Sequence, residues 1–298
     1  MSASPLPFKE GPVVGEGRSA PDAQQSFLDI ASLKHARPLH LGRILAAAAL
    51  LALLALLVRA FAVGKIDWSA VGKFLTWPTI LAGLGNTIVM ALAAMALGLV
   101  LGVLAAIARA SPNPVLRSVA LGYAWLFRGT PLILQLLLWF NIALVFPTIG
   151  IPGLWSARAV TLMTPFTAAL IGLALNEGAY VSEIVRAGML SVDRGQTEAA
   201  QSMGMPYLRT LRRIVLPQAM RVIVPPLGNQ FIAMVKMTSL ASVIQYAELL
   251  HSAESLYYAN AKVIELLIVA AIWYLVAVTA LSMGQAVLER RFARGTAL

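Results

Sequence analysis

Long apolar runs with few charges constrain this chain more than any other feature of its sequence. We predict six membrane-spanning helices from these runs, at residues 41–63, 79–108, 132–146, 161–186, 217–240 and 263–287. Inside lipid, backbone polar groups must bond within their own segment, so such runs become helices. Only 12% of the residues are charged, whereas soluble domains have about 25%. The chain is therefore predicted to be an all-α membrane protein.

The sequence outside these runs suggests a simple domain order. Residues 1–40 contain five prolines among Gly and Ser and no long apolar period, which predicts a mostly disordered tail. Residues 41–63 form an extra transmembrane helix, and residues 64–78 form a short amphipathic connector. Residues 79–290 form the main transmembrane domain, and residues 291–298 form a second tail.

The basic residues indicate how the chain is oriented. Lys and Arg beside one set of connections number 14, and those beside the opposite set number 5. Positive residues accumulate on the cytoplasmic side of a membrane protein. We therefore expect both termini and residues 191–217 in the cytoplasm, and residues 64–78 on the periplasmic side.

Several classes of function find no support in the sequence. The basic residues form short clusters beside apolar runs instead of one patch, so nucleic-acid binding is not expected. There is no Gly-x-x-x-x-Gly-Lys-Ser/Thr loop for a nucleotide phosphate. There are no cysteines, and His35, His40 and His251 fall in tail or connector positions, so neither metal binding nor enzyme activity is predicted.

A polar, arginine-bearing segment at residues 191–217 interrupts the apolar runs. We predict two short helices in it, with Gly204 closing the first in a left-handed turn. Pro206 suits the first turn of the second helix, and Pro217 is predicted to start the next span. The fixed positions of its pattern are Glu198, Ala199, Ala200, Gly204, Ile214, Leu216 and Pro217.

This pattern resembles the cytoplasmic coupling loop of bacterial ABC-importer permeases. In that family the loop docks as a short helix into a groove of a separate ATPase subunit. The alternative is an ordinary amphipathic loop between two membrane helices. The full spacing of the fixed positions favours the coupling loop over this alternative.

Further motifs resemble the polar amino-acid uptake subfamily, which includes His, Glu, Gln, Arg and opine permeases. The resemblance covers about residues 79–290, and Met237 stands where such permeases often have a polar residue. These motifs are Gly85-Asn86-Thr87, Phe127-Arg128-Gly129-Thr130-Pro131, Ala179-Tyr180-x-Ser182-Glu183-Ile184-x-Arg186, Pro225-Pro226-Leu227-Gly228-Asn229 and Lys236-x-Thr238-Ser239-Leu240.

The resemblance implies a five-helix permease core, to which residues 41–63 add one helix. It also implies an ATPase dimer that binds ATP and Mg, a separate solute-binding protein, and a second permease subunit in a homodimer or heterodimer. The chain itself is then expected to bind no cofactor. A permease for another small polar solute, such as an opine, remains an alternative. An ion-coupled secondary transporter is a further one.

Polar residues within or beside the predicted spans are candidates for the solute pathway. Glu177 lies about halfway along its span, where a charged acid facing lipid would cost roughly 2.5–3.5 kcal/mol. The full candidate set is Glu177, Asn176, Asn86, Thr87, Gln135 and Asn229. The same side chains could instead form hydrogen bonds between helices.

Two further features carry open interpretations. Pro225 and Pro226 are predicted to break the fifth span, either as a kink that lines the pathway or as a packing kink. Arg128 and Lys236, at span ends, are interpreted as snorkelling anchors.

Overall fold

The computed structural model describes residues 41–151 and 154–293, and it divides the chain into two units after Gly64. The tail predicted at residues 1–40 lies outside the described residues, as do residues 294–298. In the first unit, helix α1 runs Leu41–Val63. Its side chains from Gly42 onward are exposed in this chain. A helix that is apolar all round and 23 residues long is suited to crossing a bilayer.

The second unit is a bundle of helices with one small hairpin. The hairpin pairs Thr148 with Arg158 and Ile151 with Trp155. The helices and strands of the second unit are α2 (Trp68–Leu75), α3 (Pro78–Ala110), α4 (Pro114–Gly129), α5 (Leu132–Phe140), β1 (Thr148–Ile151), β2 (Trp155–Arg158), α6 (Ala159–Leu162), α7 (Pro165–Leu190), α8 (Arg194–Ser202), α9 (Tyr207–Thr210), α10 (Leu216–Met237), α11 (Leu249–Asn260) and α12 (Val263–Ala293).

Within the described residues, five helical stretches are long and apolar enough to cross a membrane, or six if one bent pair counts as a span. The predicted all-α membrane fold is therefore confirmed. The prediction of one span at residues 132–146 needs correction, because α5 has only 9 residues and is bent by 104° from α4. Proline disfavours helical geometry in the residue before it. Thr130, which precedes Pro131, is accordingly extended, and the helix is interrupted there.

The fifth span also differs from its prediction. Pro217 does not start it, because the chain stays helical from Tyr207 to Ile244 through a π turn at Leu211–Val215. Nor do Pro225 and Pro226 break the helix. Gln285 of α12 donates from Nε2 to the Pro225 carbonyl at 2.9 Å, and this bond ties α12 to the turn of α10 that carries the prolines.

The largest interface in this unit lies between α3 and α7, which pack along each other. Glycines make the close approach possible. A Cβ on Gly98 would lie 2.9 Å from Cβ of Glu177, and one on Gly102 would lie 2.5 Å from Cβ of Val181. Small residues four apart allow this kind of contact in membranes, where packing and not water drives association. The α3–α7 packing therefore places Glu177 of α7 directly against α3.

Candidate functional site

The segment at residues 191–217 folds into α8, a turn and α9. Asp193 caps α8 by accepting a hydrogen bond from Gly195 N at 2.7 Å. Gly204 has a φ of 78°, so its predicted left-handed conformation is confirmed. Its N–H donates to Gln201 O at 2.9 Å, and Met205 N donates to Ala200 O at 3.1 Å. This pair of bonds is the Schellman motif, which ends α8 and redirects the chain.

Apart from Gly204, the fixed positions of the segment divide into two groups. Ala200 is buried and Ile214 is partly buried, so they contribute to packing within the protein. Glu198, Ala199, Leu216 and Pro217 are exposed. The outward group is therefore available to another protein.

Three apolar side chains around the Gly204 turn project into solvent, and the sequence pattern did not single them out. Met203 is 88% exposed, Tyr207 67% and Leu208 73%. We call these three residues the turn surface. Exposed apolar clusters of this kind commonly mark contacts with a partner. Their position on both sides of the helix-ending glycine is the signal that could have identified them.

Glu177 lies inside the bundle, with 1% of its surface exposed. It packs on Gly98 of α3, and Gln230 of α10 donates from Nε2 to its Oε1 at 3.4 Å. Asn229, the neighbouring candidate, is exposed. The structure therefore brings Glu177 together with Gln230 and not with Asn229.

Asn176 and Gln135 meet at the bend between α4 and α5. Both donate to the Phe127 carbonyl, at 2.8 Å from Asn176 and 3.0 Å from Gln135. Gln135 Nε2 also donates to Thr130 Oγ1 at 2.8 Å, and Asn176 Nδ2 lies 3.4 Å from Gln135 Oε1. These bonds supply partners for the backbone that the bend frees.

Asn86 and Thr87 lie at a third place, against the residues that follow α10. Asn86 donates from Nδ2 to Ala247 O at 2.7 Å, and Leu249 N donates to Thr87 Oγ1 at 3.1 Å. The six candidate pathway residues thus occupy separate places. The side chains of Asn176, Gln135, Asn86 and Thr87 each form a hydrogen bond with the backbone of another element.

A charged cluster around Glu183 was not anticipated as a unit. Glu183 of α7 contacts Arg109 of α3, Arg128 of α4 and Arg186 of its own helix. Arg128 therefore does more than snorkel, since it is paired with a carboxylate. The spacing of Glu183 and Arg186 predicts their contact, but nothing in the sequence predicts the other two. Among the described residues, no group of three or more His, Cys, Asp or Glu side chains could hold a metal ion.

This chain is similar to a known protein family and to individual transport proteins. The family described as "Binding-protein-dependent transport system inner membrane component" matches residues 98–294. The arginine transport system permease protein ArgU of Corynebacterium glutamicum is 39% identical over 95% of this chain and 89% of its own. The glutamine transport system permease protein GlnP of Escherichia coli K12 is 35% identical over 76% of this chain and 98% of its own.

Two solved transporter structures are also similar to this chain. A crystal structure of an amino acid ABC transporter with histidines shares 35% identity, with a TM-score of 0.67 over 76% of this chain and 99% of that one. The MetNI methionine ABC transporter, in an inward-facing conformation, shares 16% identity with a TM-score of 0.57 over 72% of this chain and 96% of that one. This second likeness concerns the fold alone.

Proposed function

Because this chain belongs to the family of binding-protein-dependent transport system inner membrane components, we propose that it forms the membrane pathway for polar amino acids with a positive or neutral side chain. The chain is a multi-pass membrane permease subunit of an ATP-driven ABC importer for amino acids. It is a transport subunit and not an enzyme. Its family works with an ATPase and a substrate-binding protein.

The turn surface is the observation that carries the coupling part of this proposal. Met203, Tyr207 and Leu208 are exposed beside the outward residues Glu198 and Ala199. We propose that this surface enters a groove of an ATPase dimer, which binds ATP and Mg. Burial of an exposed Leu-sized side chain contributes about 1.5–3 kcal/mol. Closure of the ATPases would then move α8 and α9 together with the long helices that they join.

Two other parts of the assembly belong to the same proposal. A second permease subunit, identical or different, completes the pathway, and a solute-binding protein delivers the amino acid from outside. The basic asymmetry supports an orientation in the cell membrane with both termini and the coupling segment inside. A reporter fused after Leu298 should then be active only in its cytoplasmic form, and a periplasmic signal would contradict the orientation.

The substrate class rests on Glu177 and on the substrates named for the relatives. An anionic side chain within the bundle attracts the ammonium group of any amino acid and the second cation of a basic one. It repels an extra carboxylate, which disfavours acidic amino acids. Relatives are named for the transport of arginine, L-cystine, glutamine and nopaline.

The remaining candidate residues border this pathway in the proposal. Asn176 and Gln135 would shape one wall through the α4–α5 bend, and Asn86 and Thr87 would fix the other end of α3. Asn229 is exposed beside Gln230, the partner of Glu177. Opening of α10 away from α7 would expose Glu177 to solute, because only Gln230 of α10 contacts its carboxylate among the described hydrogen bonds.

Uptake into proteoliposomes tests the proposal. The permease is reconstituted with and without its ATPase and binding protein, and arginine, glutamine, L-cystine, glutamate and nopaline are offered separately. We expect uptake only in the complete system, with glutamate transported worst. ATP-independent uptake driven by an ion gradient would contradict the ABC assignment, and preferred nopaline uptake would favour an opine permease.

The Glu177→Gln variant tests the role of the carboxylate in the same assay. It keeps the shape and the contact with Gln230 but removes the charge. We expect normal insertion and ATPase assembly, with uptake of the preferred amino acid reduced about fivefold, since roughly 1 kcal/mol of lost attraction corresponds to that factor. Unchanged rate and selectivity would make Glu177 a packing residue. Gln230→Glu is the complementary variant, because it adds an acid at the same contact.

A further inference from the structure

A charged cluster lies where α3, α4 and α7 meet. Arg109 Nη1 is 2.6 Å and Arg128 Nη1 is 3.7 Å from Glu183 Oε2, while Arg186 contacts Oε1. Three positive charges face one negative charge, so the cluster has an excess of two. Uncompensated charge is costly in or near a bilayer. The excess can therefore attract an anion that is not part of this group of side chains.

Arg128 is the member best placed to bind such an anion. Its side chain is 41% exposed, whereas that of Arg109 is 16% exposed. Its guanidinium lies 5.4 Å from the centre of the Tyr180 ring, which holds it by a cation–π contact. The Arg109–Glu183 pair is short and compensates itself. The longer Arg128 contact leaves N–H donors that a phosphate can accept in bidentate geometry.

The pocket beside Arg128 combines charge with apolar surface. It has a volume of about 420 Å³ and is lined by Arg109, Arg128, Tyr180, Leu121 and Trp125 among others. Leu121 is 43% and Trp125 77% exposed. Such a pocket suits a ligand that is anionic at one end and apolar at the other. A phosphate ion or a small polar amino acid would leave the apolar part of the pocket without a contact.

The depth of the cluster agrees with the boundary between hydrocarbon and headgroups. Arg109 is the second-last residue of α3. Glu183 lies seven residues before the end of α7, which is about 10 Å at the helical rise. Tryptophan is enriched at the same boundary. Basic pockets between membrane helices bind lipid headgroups at this depth.

We infer that this pocket binds the phosphate headgroup of an anionic phospholipid, with Arg128 as the donor and an acyl chain along Leu121 and Trp125. The inference does not depend on which solute is transported. It assigns Glu183 the role of partly reducing the positive charge that the ligand meets.

Lipid titration of the purified full chain in neutral detergent tests this inference, with bound lipid counted by native mass spectrometry. The probes are phosphatidylglycerol, phosphatidylcholine and inorganic phosphate. We expect phosphatidylglycerol to bind best and Arg128→Gln to weaken it roughly fivefold, the effect of one basic residue near an anionic surface. Arg158→Gln, an exposed arginine of β2, removes the same charge elsewhere and should change nothing. Glu183→Gln should strengthen binding, because it raises the excess charge.

Several results would overturn the inference. Equal binding of phosphatidylglycerol and phosphatidylcholine would mean that the pocket does not distinguish their headgroups. Binding of inorganic phosphate as strong as that of phosphatidylglycerol would assign the pocket to a soluble anion. Weaker binding in Glu183→Gln, with an unchanged melting temperature, would show that Glu183 does not oppose the ligand. The chain has no cysteine, so Trp125→Cys introduces a single thiol. A disulfide-linked dimer of that variant in membranes would make this face an interface between two copies.

Discussion

The coupling segment (residues 191–217) and the α10–α12 connector (residues 245–262), which is distinct from the connector at residues 64–78, each join two long helices. Their side chains face in opposite directions. The α10–α12 connector turns one of its two acids, Glu248, inward. The Glu248 carboxylate is fully buried and accepts from His251 N at 2.7 Å, Leu250 N at 2.9 Å and Tyr274 Oη at 2.5 Å. The coupling segment turns the apolar turn surface outward. The polar groups of the α10–α12 connector are therefore satisfied within the chain, whereas the coupling segment leaves apolar side chains exposed.

Under our proposal, this difference separates a joint that holds the fold from a joint that binds a partner. Burial raises the pKa of Glu248, while its hydrogen bonds oppose that shift. A buried acid with three donors is costly to disturb. The turn surface gains nothing from its own chain, so its changes should affect assembly and leave stability unchanged. Four variants test this contrast, from the largest expected effect to the smallest.

Removing the buried acid should have the largest effect. Glu248→Ala deletes the α11 cap and leaves buried donors unsatisfied, which should cost about 2–3 kcal/mol of unfolding free energy. Thermal unfolding in detergent measures this loss, and ATPase binding by the folded fraction should remain normal. Glu254→Ala on the same helix is the control, because its contact with His251 is 3.8 Å long. Equal stability of both variants would remove the contrast between the joints.

Distorting the coupling turn should have the next largest effect. Gly204→Val places a β-branched residue at a φ of 78°, where non-glycine residues are strained by roughly 1–2 kcal/mol. The turn surface would be displaced, and we expect uptake and ATPase co-purification to fall about tenfold, equivalent to roughly 1.4 kcal/mol. Gly122→Val is the control, since a Cβ there meets nothing within 4 Å. Normal assembly of the Gly204 variant would contradict the docking proposal.

Trimming the turn surface should have a smaller and more selective effect. Leu208→Ala should lower affinity for the ATPase about fivefold, because a single apolar contact is worth roughly 1 kcal/mol. The melting temperature of the permease alone should not change, since Leu208 is exposed there. Leu144→Ala, another exposed leucine, should leave both quantities unchanged. A lower melting temperature for Leu208→Ala would mean that the side chain packs within its own chain.

The smallest effect is expected from an exposed ion pair at the end of the α10–α12 connector. Lys262 Nζ donates to Asp67 Oδ2 at 2.5 Å, and its bond holds the pKa of Asp67 below the ordinary value of 3.8. A lowered folded-state pKa gives stability that is present above that ordinary value and is lost as the pH falls below it. The wild type should therefore lose more of its melting temperature on acidification than Asp67→Asn. Identical acid profiles would show that the pair contributes nothing.

The sequence by itself determined the features that depend on neighbouring residues. Apolar runs specify helices because lipid leaves the backbone no partner outside the segment. The left-handed turn at Gly204 follows from a glycine after a run of helix formers. Glu183 and Arg186 could be paired in advance because three residues separate them on one helix.

Only the tertiary structure decided which polar groups meet across the bundle. Arg109 and Glu183 are 74 residues apart, and Asn86 lies 161 residues from Ala247. Periodicity shows which face a residue occupies, but many polar residues on other helices could satisfy each of these groups. The α4–α5 bend was missed in part for the same reason, because Pro131 interrupts the helix locally but the amide of Asn176 that supports the bend lies on α7. The choice among possible partners is made by helix packing, which the glycines of α3 and α7 set through close contact.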